Sequence, residues 1–206
     1  MFFLTRIRSQ AILFFAIILV STFPYIAESA EKCGVIESLD RTVFALRNGR
    51  EFELETGSSV FQGDMIKTGR IGNADIRLID GTVAHIGPTS EVLLVSVVFD
   101  VRISQMQIAV DRGNVSLKMG SIPLVNPRGV RLTTPRALIY AGDSDLTISV
   151  SPSSEEIRAD RLFSGNQISI YNSNAREIMN ITAQNSVLSI DSEDAMTITE
   201  QGAGNR

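Results

Sequence analysis

From residue 34 onward, apolar and polar positions alternate in short runs bounded by glycine, proline, asparagine and aspartate. No window of about 11 residues carries an apolar stripe of period 3.6, so the alternation predicts half-buried strands, not helices. Candidate strands begin with GVIESL at 34–39, TVFAL at 42–46, EFELE at 51–55, NADIRLI at 73–79, TVAHI at 82–86 and EVLLVSVV at 91–98. They continue with QMQIAV, NVSLKM, GVRLTT, ALIYA, LTISV, QISIY, REIMNI, SVLSI and AMTIT. The expected fold class is all-β, a compact roll or solenoid-like sandwich of short antiparallel strands.

Turn residues punctuate these runs. Asn48-Gly49 is the pair that tolerates positive φ at both centres of a tight hairpin. Glycines 57, 63 and 69 recur every six residues and force bends between short strands or single turns. In SIPLVNPRGV, 121–130, two prolines cannot donate to a sheet ladder. That segment divides a β-domain core at 30–120 from 121–199, which is either its continuation or a second β-subdomain. The polar tail at 200–206 is expected to fray.

The stretch from Asp64 to Leu94 holds His85, the sole histidine of the chain. Asp80-Gly81 marks a hairpin turn, and loop length decides which side chains share a face. A two-residue loop pairs Ile76 with His85 and buries the imidazole. A three-residue loop, Ile79-Asp80-Gly81, pairs Ile76 with Ala84 and Ala74 with Ile86, leaving one face small and apolar. The second register is preferred, because it gathers Asp75, Arg77, Val83 and His85 on the other face. Asp75, Arg77 and His85 are therefore the candidate partner-binding face. Asp75 opposite His85 favours the protonated imidazole, and the bland reading is an ordinary polar cross-strand pair.

The run VLLVSVVF, 92–99, breaks the alternation expected of a strand with one wet face. It reads as a central strand covered on both faces, with an edge open to β-augmentation as the alternative.

At the N-terminus, Arg6 and Arg8 precede the apolar run AILFFAIILV at 11–20 and the small-residue segment AES at 27–29. Basic, apolar and small segments in that order read as a signal peptide over 1–29, cleaved near Ser29 or Ala30. The run is short for a membrane span, and Ser21, Thr22 and Pro24 interrupt it. Retention as an anchor is the alternative. Cleavage leaves 17 basic and 22 acidic residues, a net charge of about −5, which disfavours nucleic acid as a partner. Cys33 is the single cysteine, so no intramolecular disulfide can form. Glu31 and Lys32 before it do not fit a lipidation signal, which leaves a small buried residue or an intermolecular disulfide.

FQGDMIKTGRIGNADIRLIDGTVAHIGPTSEVLL resembles the core motif of FecR-like domains, named for the ferric-citrate regulator. The matching residues are Gly63-Asp64, Ile66, Thr68-Gly69, Ala74, Ile76, Leu78, Asp80-Gly81, Ile86-Gly87 and Ser90. RLTTPRALIYAGDSDLTISV is similar to the second block of that family through Thr134-Pro135, Ala137 and Gly142, with Asp143 where threonine is usual. RLFSGNQISIYN resembles the closing strands, with Gly165 at the turn, so the likeness spans about 34–171. It implies a periplasmic β-domain that receives a signal from an outer-membrane receptor. Only about ten residues precede the apolar run, so the cytoplasmic sigma-binding segment of such regulators has no counterpart in this sequence.

Known catalytic patterns are missing from the sequence. One histidine, one cysteine and no Gly-X-Ser-X-Gly elbow argue against a serine or cysteine hydrolase and against a Cys/His zinc site. No phosphate loop or dinucleotide fingerprint follows a strand. DSD at 143–145 and DSED at 191–194 lack the spacing of a calcium loop and read as solvated turns. A two-carboxylate glycosidase is compatible with acids on distant strands. The expected function is non-catalytic, with no cofactor and no metal. The chain is expected in the periplasm or secreted, as a binding, sensing or assembly module for an envelope protein or polysaccharide. The alternative is a membrane-anchored periplasmic regulator of signal transduction, with membrane contact only if the N-terminal segment is retained.

Overall fold

The computed structural model describes residues 30–163, 165–173 and 177–200. The expected signal segment at 1–29 and the tail from 201 lie outside them. Seventeen strands and one short helix are described, in two sheets that share one strand.

Sheet A runs β4 (Ser59–Phe61), β1 (Lys32–Asp40), β6 (Asn73–Leu78), β7 (Val83–Ile86), then the end of β9 (Ser104–Lys118). It continues through β12 (Ser144–Val150), β13 (Glu155–Leu162), β16 (Ser186–Ile190) and β17 (Met196–Glu200). Sheet B runs β3 (Arg50–Glu53), β2 (Val43–Arg47), β5 (Met65–Thr68), β8 (Glu91–Phe99), then the start of β9. It ends with β10 (Val130–Thr133), β11 (Ala137–Ala141), β14 (Ile168–Asn172) and β15 (Ile178–Ile181). From β10 the chain lays down hairpins alternately, β10–β11 in sheet B, β12–β13 in A, β14–β15 in B and β16–β17 in A. This is the roll-like all-β sandwich that the short alternating strands predict. All pairings are antiparallel except β9 with β10.

β9 ties the sheets together. Its first half pairs with β8 and β10 and its second half with β7 and β12. Gly113, at φ +96°, stands at the change of partners. The pattern reads as two strands, QMQIAV and NVSLKM, where one bent strand crosses between the sheets.

Inward residues of both sheets fill one core. Ile36, Ile76, Ile86, Leu117, Ile148 and Ile157 from A are buried with Leu94, Ile108, Leu132, Ile139 and Ile170 from B. Each such side chain contributes ~1.5–3 kcal/mol on burial. Residues 121–130 hold helix α1 (Ile122–Val125), and both sheets continue across them through β9.

β8 corrects the expectation of a strand covered on both faces. Val92, Leu94 and Val97 are buried, but Val95 and Phe99 are exposed and Leu93 and Val98 half-buried. β5 pairs with it only at Glu91–Leu93; beyond Leu94 its ladder is to β9 alone, and Gln62 Nε2 donates to Val97 O at 3.3 Å. Its apolar outer residues join Met65, Leu138 and Tyr171 on the solvent side of sheet B.

Candidate functional site

The turn between β6 and β7 adopts the three-residue form. Gly81 sits at φ +88°, its N–H donates to Leu78 O at 3.0 Å, and Leu78 N–H donates to Thr82 O at 2.8 Å. Ala74 therefore pairs with Ile86, Asp75 with His85, Ile76 with Ala84 and Arg77 with Val83. Ala74, Ile76, Ala84 and Ile86 enter the core, which places Asp75, Arg77 and His85 together on the outer face of sheet A.

On that face Asp75 has a partner at each oxygen. Ser38 Oγ donates to Oδ2 at 2.7 Å, and His85 Nδ1 lies 2.7 Å from Oδ1. Burial by itself would raise the Asp75 carboxyl. The bonds from Ser38 and His85, with the charges of His85 and Lys118, outweigh it and hold the group below the usual carboxylate range. Arg77 Nε bonds the carboxylate of Glu37 on β1. The next strands continue the polar row. Ser116 is the cross-strand neighbour of His85, its Oγ is 2.7 Å from Thr147 Oγ1, and Thr147 donates to Asp160 Oδ2 at 2.5 Å. Arg158 Nε closes the row on Asp160 Oδ1 at 2.6 Å.

Ser38 donates to the carboxylate and not to the imidazole, so His85 is not set to deprotonate it. The hollow lined by Ser38, Asp40, Asn73, Asp75 and His85 encloses only about 120 Å³, below the ~300–1,000 Å³ typical of small-molecule sites. Among the described residues, no group of three or more His, Cys, Asp or Glu side chains is placed to hold a metal ion.

Pattern reading treats the motif residues as turn-formers, and the structure shows what anchors those turns. Asp64 is fully buried, takes a bidentate bond from Arg47 at 2.6 and 2.7 Å, and accepts Phe61 N–H at 2.9 Å. The Arg47 guanidinium stacks over the Phe61 ring, 4.0 Å from its centroid. Asp80 accepts from Thr82 N–H at 3.0 Å and Thr82 Oγ1 at 2.8 Å, and Thr82 Oγ1 in turn accepts Gly120 N–H at 2.9 Å. Glu155, also fully buried, bonds Thr134 Oγ1 and accepts Arg136 N–H at 3.0 Å, fixing the Thr-Pro turn. Burial pushes the Glu155 carboxyl above its ordinary value, against those bonds and the nearby Arg136 charge. Nothing in the spacing of Arg47 or Glu155 announces these partners.

No protein-family profile matches the sequence, and no curated protein matches it. Two crystal structures of a "putative anti-sigma factor" from Parabacteroides distasonis ATCC 8503 share the fold, with TM-scores of 0.53 and 0.52 at 10% and 11% identity. Each superposition covers 68% of this chain and 60% of the other, so the chain spans about three-fifths of the length of those proteins.

Proposed function

We propose that this chain is an exported, non-catalytic FecR-like β-domain that serves as a binding, sensing or assembly module in signal transduction at the bacterial envelope. The observation that carries the reading is the outer face of sheet A, where two hydrogen-bonded groups on adjacent strands, Ser38–Asp75–His85 and Ser116–Thr147–Asp160–Arg158, lie side by side without a deep cleft. Flat sheet faces of this kind recognise protein surfaces by charge and hydrogen-bond complementarity. The fold shared with the putative anti-sigma factors supports a regulatory setting. Asp75, Arg77 and His85 are the residues that meet the partner.

Co-purification from envelope fractions tests the reading. A partner retained by the wild type and lost with Asp75→Asn or His85→Ala, both variants remaining folded at the assay temperature, supports it; retention by both variants removes this face from consideration. N-terminal sequencing of the soluble and membrane fractions tests export. A start near residue 30 in the soluble fraction fits a cleaved signal peptide, and an intact N-terminus in the membrane fits the anchored regulator.

A further inference from the structure

The outer face of sheet B carries a second, different surface. A groove of about 740 Å³ runs along β11 and β14, lined by Arg128, Leu138, Tyr140, Asn166, Ser169 and Tyr171 among others. Leu138 pairs with Tyr171, and Tyr140 with Ser169, two residues further along. From Leu138 to Gly142 the groove extends about 13 Å at ~3.3 Å per residue. Its chemistry changes along that length. At one end Tyr140 and Tyr171 meet edge to face, with centroids 5.8 Å apart and planes at 81°. At the other, Gly142 forms the floor: a β-carbon there would lie 2.9 Å from Asn166 Oδ1, so a larger residue would push that amide aside. Arg128 stands beside it.

Among the described residues, the Arg128 guanidinium has no ion-pair or hydrogen-bond partner, and neither does that of Arg131, the cross-strand neighbour of Tyr140. Among the described residues, no carboxylate lines the groove. We infer that this groove binds a short stretch of acidic polysaccharide. The positively polarised C–H face of a pyranose packs on the negative face of a phenol ring, the Asn166 amide and Ser169 hydroxyl serve ring hydroxyls, and Arg128 and Arg131 take sugar carboxylates. A neutral apolar ligand would leave both guanidinium groups unused, and an acidic peptide would leave the tyrosine pair without a flat partner. This site lies on the opposite sheet from Asp75 and His85 and stands or falls independently of the proposed partner face.

Calorimetric titration of the full chain with a galacturonic acid hexamer tests the inference, with cellohexaose and polyglutamate as comparisons. The expected result is binding of the hexamer, weakened at least about tenfold by Arg128→Gln and by Tyr140→Leu at unchanged thermal midpoints. The two comparison ligands bind at least about tenfold more weakly to the wild type. No hexamer binding at millimolar concentration, equal binding of either comparison ligand, or indifference to both substitutions would overturn it.

Discussion

Ser90 sits directly against the α-carbon of Gly113: a β-carbon there would lie 2.1 Å from Ser90 Oγ and 2.5 Å from the Ser90 α-carbon. The same hydroxyl accepts Asn114 N–H at 3.1 Å, so the motif serine clamps β9 where it passes between the sheets. Gly113→Ala combines this overlap with a left-handed φ and is expected to cost ~2–4 kcal/mol in urea unfolding. Ser90→Gly added to it does not restore stability, because the clash with the backbone of residue 90 remains. A neutral Gly113→Ala would mean that the bend is not fixed here.

The Arg47–Asp64 pair predicts strong coupling. Asp64→Ala leaves a guanidinium without its carboxylate and the Phe61 N–H without an acceptor, at a cost of ~3–5 kcal/mol. Arg47→Met leaves Asp64 as an uncompensated buried charge at a similar cost. The double substitution is expected to cost less than the sum by ~1–3 kcal/mol, which a denaturation cycle measures.

Two carboxylates give opposite pH signatures. Glu155 is raised in the folded state, so its contribution is fully present below its unfolded value of 4.5 and is lost as pH rises through the folded value. Relative to Glu155→Gln, the wild type should lose stability as pH climbs from the ordinary carboxylate range toward neutrality. Asp75 is lowered, so its contribution is present above its unfolded value of 3.8 and is lost as pH falls through the folded value. Relative to Asp75→Asn, the wild type should lose stability on acidification, and weakly, because the group is partly solvated. Unfolding midpoints of the three proteins across pH check both signs.

Cys33 is fully buried, and its thiol is pushed up to about 12 by burial and by the Asp64 charge. Alkylation at pH 8 is expected to follow global unfolding, not direct attack. An intermolecular disulfide is then not expected in the folded protein. Rapid modification under native conditions would contradict the placement of β1.

Period-two alternation and the Asp80-Gly81 turn make the β6–β7 register legible, and with it the shared face of Asp75, Arg77 and His85. Two elements are not legible in this way. Strand β13, EEIRADRL, hides its alternation because its inward positions include buried Glu155 and small Ala159 beside Ile157. β8 reads as doubly covered because its outward residues are apolar too, although half of that strand has a partner on one side only. The Tyr140–Tyr171 groove depends on cross-strand neighbours about thirty residues apart, which no local pattern links.

Site-specific photo-crosslinking in intact cells tests most directly whether the Asp75–His85 face meets a partner, with the reactive group placed at Ser116 beside His85 and, as control, at exposed Glu51 on sheet B. A discrete adduct is expected from position 116 alone, abolished when Asp75→Asn and His85→Ala are added. Adducts of equal yield from both positions, or an adduct at 116 that survives those substitutions, would contradict a partner-binding role for this face.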